Sequence, residues 1–252
     1  MSRLTGIKPV FKREFNGYFA TPLGYIIVVI FLFASGYLTV SRDFGRFIEL
    51  REASLEGSFF AFLPWIYVVL VPAVAMRLWA EERKTGTVEL LFTLPITLEG
   101  SYLGKFLAGW AFLMISLALT FPVPLITEYL GNPDWGVIIT GYLGSALLAG
   151  TFLAVGMLFS AVSKNQIVAF ILGFVVSMLF LLVGRPESLE FINGIPMVGG
   201  YLEQLLGSMS LSDHFSTLTR GLLELRTLVF FAFATMAWLF CGMLMLDRVK
   251  AS

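Results

Sequence analysis

Charge is scarce in this chain: Asp, Glu, Lys and Arg make up 13% of 252 residues, where an ordinary soluble domain carries about 25%. Seventeen basic and seventeen acidic residues cancel, so no basic surface is offered to a nucleic acid. Cysteine and histidine are scarcer still. With Cys241 alone no intrachain disulfide can form, and Cys241 with His214 cannot supply an ordinary zinc site. A single histidine in a loop also removes a Ser–His–Asp triad from consideration. The stretch GSYLGKF, Gly100 to Phe106, lacks the glycine spacing and the hydroxyl residue after Lys105 that a phosphate-cradling loop requires. The chain itself is expected to be no enzyme.

What the chain has instead is apolar length. Hydrophobic residues reach 58%, more apolar surface than a soluble globule of this size can hide. Six long runs lie between charged residues: Leu23 to Val40, Phe59 to Met76, Phe106 to Ile126, Trp135 to Val162, Ile167 to Gly184 and Leu228 to Leu246. Each suffices, at 1.5 Å of rise per residue, to cross about 30 Å of hydrocarbon as a helix. The runs show no period-two alternation, which excludes a transmembrane barrel. The expected fold is therefore all-α, integral to the membrane, with six spans forming one domain over residues 1–252. Arg3, Lys8, Lys12 and Arg13 ahead of the first run imitate a secretory signal. The run exceeds the ~7–15 residues of a signal core, so it reads as a retained span.

Six spans place both termini on one side. Eleven of the seventeen basic residues fall on that side, among them Arg77, Arg83, Lys84, Lys105 and Lys164. The positive-inside rule makes that side cytoplasmic. Pro72, Pro122 and Pro124 interrupt spans and can kink them. Small residues four apart, Gly141 with Ser145 and Ala146 with Gly150, permit close packing at a bundle or dimer face. Few ionisable groups lie inside any span, unlike a proton- or sodium-coupled carrier, which favours energy delivered by another subunit.

Three segments outside the spans carry more information. From Ile7 to Pro22, Phe11, Phe15, Tyr18 and Phe19 recur at helical spacing with Lys12 and Arg13 off the stripe. This predicts an interfacial helix with its aromatic face toward lipid, serving as an anchor or as a contact for a cytoplasmic partner. From Glu81 to Pro95, the charges of Glu81, Glu82, Arg83 and Lys84 precede Thr85 and a helix-breaking Gly86. Thr87 can then cap a short helix, 87–94, with Glu89 in its first turn and an apolar ridge of Leu90, Leu91 and Leu94. Such a helix either docks in a cleft on a partner or merely connects two spans. From Arg185 to Arg226 the loop is too apolar for solvent, and Phe215, Leu218, Leu222 and Leu225 form a stripe flanking Arg220. Short re-entrant helices, or a lid packed on the bundle, are expected there.

The segment EERKTGTVELLFTLPIT, Glu81 to Thr97, placed between the second and third spans, resembles the ABC-2 family of ABC-transporter permeases. The six-span layout and the apolar loop before the last span match as well. DHFSTLTRGLLELR, Asp213 to Arg226, is most similar to the gliding-motility-associated and NosY-like branch. The resemblance implies a second permease chain and two ATPase chains, with ATP and magnesium held by the latter and none here. It also implies export across the plasma membrane. Helix 87–94 would be the coupling helix, Glu81 to Lys84 its elbow, and the N-terminal helix the interface helix. An auxiliary membrane protein can accompany such a complex. The alternative is a membrane scaffold that assembles other proteins and moves no substrate, or a self-sufficient channel or carrier.

Overall fold

The computed structural model describes residues 6–41, 45, 54–87, 96–183, 185, 188, 207 and 209–251. Among them the regular structure is entirely helical. Helix α1 (Ile7–Ala20) ends at Thr21, whose extended backbone is what the following proline demands. Pro22 then occupies the first turn of α2 (Pro22–Val40), where its missing N–H costs nothing. After a π-helical turn at Glu56–Phe60 come α3 (Ala61–Ala75) and α4 (Arg77–Thr85). The third segment is α5 (Leu98–Ala118) followed by α6 (Pro122–Leu130). Then follow α7 (Trp135–Val162), α8 (Gln166–Val183), the short α9 (Leu211–Thr219) and α10 (Leu225–Ala251).

Six segments are long and apolar enough to cross a membrane, with Glu56–Thr85 and Leu98–Leu130 each divided into shorter helices. They agree in number and order with the six apolar runs, but the second, third and sixth are longer than expected. The third begins at Leu98, eight residues before Phe106, because Thr97 caps it by accepting from Gly100 N at 3.1 Å. That extension carries Lys105 onto a helix inside the bundle. The end holding α1, the close of α4 and the start of α5 is called here the near end. The end holding Glu56, Arg185 and α9 is the far end.

Helix α7 is the axis. It is the most buried span and packs against α3, α4, α5, α8, α9 and α10. Its small residues make this possible, and they face the bundle rather than a second chain: Gly141 meets the Phe60 ring, Gly144 meets Leu218, and Gly150 meets Trp110. Trp110 Nε1 donates to the Ala146 carbonyl at 3.0 Å. Helix α9 enters the bundle beside Gly144, nine residues or roughly 14 Å along α7 from its far end.

Each bend exposes backbone groups that water would satisfy in a soluble protein, and each is closed by a hydroxyl. Between α3 and α4, four residues after Pro72, the N–H groups of Trp79 and Ala80 both donate to Ser160 Oγ at 3.0 Å. Ser160 in turn donates to the Met76 carbonyl at 2.9 Å. Between α5 and α6, Thr120 Oγ1 donates to Leu117 O at 2.6 Å and lies 3.0 Å from Tyr142 Oη. Helix breaks follow Pro72 and precede Pro122 and Pro124, and the hydroxyls of Ser160, Thr120 and Tyr142 lie at them.

Helices α3, α7 and α8 approach closely around Gly156: a Cβ there would lie 2.6 Å from the Ala75 Cβ, and Gly173 faces its Cα. Gly156→Ala is expected to destabilise the protein by about 1–3 kcal/mol through overpacking. Gly36→Ala on α2, where a Cβ meets nothing within 4 Å, should stay within about 0.5 kcal/mol. Reversible unfolding of both variants in detergent micelles checks the contrast; equal losses would show that Gly156 has room to spare.

Candidate functional site

The near end gathers the charges that the spans exclude. Lys105, on α5, has a side chain only 2% exposed. Its Nζ lies 3.0 Å from Glu14 Oε1 on α1, 3.0 Å from Glu82 Oε1 on α4, and 2.7 Å from the Leu78 carbonyl. Three protons on the ammonium therefore meet three acceptors. The Trp79 indole supplies a further face, its centroid 5.0 Å from Nζ. Arg13 closes the group from the rim, donating to Glu14 Oε1 at 2.6 Å and to Glu82 Oε1 at 2.8 Å. The four formal charges cancel, so the cluster carries no net charge into a place poor in water. Burial pushes the Glu14 carboxyl up, but Lys105 and Arg13 outweigh it and hold the group below its ordinary value.

The elbow predicted at Glu81 to Lys84 is the last turn of α4, and its four charges have different duties. Glu82 enters the cluster. Arg83 Nη1 donates to the Ala161 carbonyl at 2.7 Å and to the Val162 carbonyl, satisfying the last carbonyls of α7. Glu81 is half exposed and meets Arg77 one turn back at 3.6 Å, a surface contact of small value. Lys84 is exposed. Gly86 ends the helix with φ +74°, the left-handed conformation that glycine tolerates. Thr87 Oγ1 lies 3.0 Å from Thr85 Oγ1. The rest of the proposed coupling helix, with Glu89, Leu90, Leu91 and Leu94, falls outside the described residues.

Helix α1 lies along α5 and touches α2. The expectation that its aromatic face meets lipid needs correction at Tyr18 and Phe19. Tyr18 is buried and stacks on Phe112 of α5 at 4.6 Å, and Phe19 meets the same ring edge-on at 5.8 Å. Phe11 and Phe15 stack on each other at 5.5 Å and remain partly exposed, while Lys12 is exposed. Arg13, off that stripe, turns to the two glutamates. A protein face competes better than lipid for these rings because glutamates and aromatic partners lie on the same side.

At the far end the stripe Phe215, Leu218, Leu222 does not hold together. Phe215 and Leu218 are buried against α7, but α9 stops at Thr219, and Gly221 turns the chain at φ +85°. Leu222 and Leu225 emerge 54% and 76% exposed. Arg220 pairs with Glu56 at 3.2 Å on the surface. Most of 186–206 lies outside the described residues. His214 stacks on Phe230 at 4.0 Å, and its Nδ1 lies 3.3 Å from Thr227 Oγ1.

Sequence reasoning missed Glu14 and Lys105. The available signal was a lysine eight residues past Thr97 and one before a long apolar run, a place where a cation needs an acid from elsewhere.

Compared with known families, residues 10–246 match the one described as ABC-2 family transporter protein. No curated protein matches the chain.

Lys105→Met strands two glutamates in a buried setting and is expected to cost about 3–5 kcal/mol. The triple variant Lys105→Met/Glu14→Gln/Glu82→Gln should recover much of that loss, and thermal unfolding in micelles checks both. If the single variant unfolds like wild type, the cluster is not desolvated. Because the Glu14 carboxyl is depressed in the folded state, its stabilisation is complete above the ordinary carboxylate value and fades as pH falls through the depressed one. The stability gap between wild type and Glu14→Gln should therefore hold from about pH 7 down to the ordinary carboxylate range and close only below it. A gap that widens on acidification would reverse the assignment.

Proposed function

The chain belongs to the ABC-2 transporter family as a multi-pass membrane protein, and from that premise we propose that it is the permease subunit of an exporter driven by a separate ATPase. The observation that carries this reading is the family match across nearly the whole chain. ATP and magnesium are held by the ATPase partner, two permease chains form the pathway, and the near end with both termini faces the cytoplasm. The chain forms one transmembrane domain, and the resemblance of Asp213 to Arg226 supports the gliding-motility-associated and NosY-like branch. An auxiliary membrane protein accompanies the complex.

The near-end geometry supports a specific route for the work. Residues 87–94 dock on the ATPase, and α4 receives their motion through Thr87. Helix α4 grips three elements at once: α7 through Arg83 and Ser160, α5 through Lys105, and α1 through Glu82 with Arg13. A displacement of α4 must carry α7 with it or abandon buried hydrogen bonds. Interface helix, elbow and central span therefore move together, which is what switching between inward-open and outward-open states requires.

Glu82 and Glu81 separate coupling from mere surface charge. With the ATPase co-expressed and the complex in proteoliposomes, Glu82→Lys should reduce transport-coupled ATP hydrolysis at least about tenfold. Glu81→Lys should alter it less than about twofold, in keeping with an exposed ion pair. Equal effects would remove Glu82 from the route. A cysteine at Lys84, in a Cys241→Ser background, should be labelled from the cytoplasm alone; labelling from outside would invert the topology and end the proposal.

A further inference from the structure

Two cavities flank α9 at the far end, and neither takes part in the route above. One, of about 270 Å³, lies among the Glu56–Phe60 turn, α3, the end of α8 and α9. Its wall includes Ser212, Ser216, Thr219 and Trp65. The Arg185 guanidinium lies over the Trp65 ring, 5.0 Å from its centroid. The acid of this wall, Glu56, is engaged by Arg220 at 3.2 Å. Arg185 is the cation of this wall, and among the described residues no carboxylate pairs with it.

The second cavity, of about 280 Å³, is almost wholly apolar and lies among α7, α8, α9 and α10. Adjacent residues face the two spaces: Leu211 and Ser212 on α9, Phe180 and Leu181 on α8. Along α10 its wall runs from Phe230 to Cys241. Eleven residues of helix rise about 16 Å, close to half of a hydrocarbon core about 30 Å thick. The apolar cavity thus extends one leaflet deep from the level at which the charged cavity lies.

We propose that these paired cavities seat an anionic glycerophospholipid of the far-end leaflet. Its phosphate meets the Arg185 guanidinium, a fork suited to phosphate oxygens, with the Ser212 hydroxyl as a further donor. One acyl chain lies along α10 past Phe180 and Trp238. A zwitterionic lipid fills the apolar cavity equally well but gains less from Arg185, since its own cation opposes the attraction. Charge, not chain, sets the preference.

The site requires neither ATP nor a partner, so its failure would leave the permease reading standing. The full-length chain is placed in phosphatidylcholine nanodiscs doped with phosphatidylglycerol or phosphatidylcholine brominated on the acyl chain, and tryptophan fluorescence is followed. Brominated phosphatidylglycerol should quench at about fivefold lower mole fraction than brominated phosphatidylcholine. Arg185→Gln should abolish the difference, and Trp238→Phe should remove most of the quenching. Equal quenching by the two lipids in wild type would reduce the cavities to ordinary annular contact and overturn the proposal. A preference that survives Arg185→Gln, or quenching that survives Trp238→Phe, would do the same. The wild-type comparison needs no variant to fold.

Discussion

A lysine ammonium withdrawn from water holds the near end together. Lys105 sits on a helix whose next turns are wholly apolar, and its charge is tolerable only because α1 and α4 each send a glutamate to it. The dependence runs both ways. Glu14 and Glu82 would repel each other without the cation between them, and Arg13 alone is too exposed to neutralise both. Three elements far apart in sequence are thereby fixed to one point, with Trp79 packed over it. The association of α1 with the bundle is polar at one end, through this cluster, and aromatic at the other, through Tyr18 and Phe19 on Phe112. Neither contact is available to a helix that merely floats at the interface.

The same scarcity of water governs the bends. A proline in a soluble helix frees a carbonyl that solvent can satisfy; inside a bilayer the protein must answer. Here the answers come from α7, whose Ser160 serves the break between α3 and α4 and whose Tyr142 supports Thr120 at the break between α5 and α6. Helix α7 is thus more than an apolar rod. Its glycines let neighbours close, and its few hydroxyls pin the places where those neighbours change direction.

What was legible in the sequence follows from range. Apolar runs are local, and all six spans could be read from them; the helix-breaking Gly86 is local too. The Lys105 cluster was not legible because its members stand 91 and 23 positions apart along the chain, and no pattern in either stretch announces the partner. The face of α1 was misjudged for a related reason. An amphipathic stripe shows which side is apolar but not whether lipid or protein covers it, and Phe112 decided that from a different span. The stripe from Phe215 to Leu225 failed at Gly221, where a positive φ ended a periodicity that composition alone would have continued.

The two ends of the bundle differ in how hard they are to pull apart. At the near end, separating α4 from α7 means baring two buried N–H groups, a serine hydroxyl and the guanidinium of Arg83 from its carbonyls. Each such group costs about 1–3 kcal/mol when left unsatisfied, more when charged. At the far end, α9 leans on α7 through apolar contacts, and its Arg220 reaches Glu56 in an exposed pair worth at most about 1 kcal/mol. Apolar contacts in a bilayer exchange readily for lipid, since acyl chains are as apolar as leucine. A force applied at α4 therefore moves the near end as a block, and the cheaper rearrangements lie at the other end of the same helices, around α9.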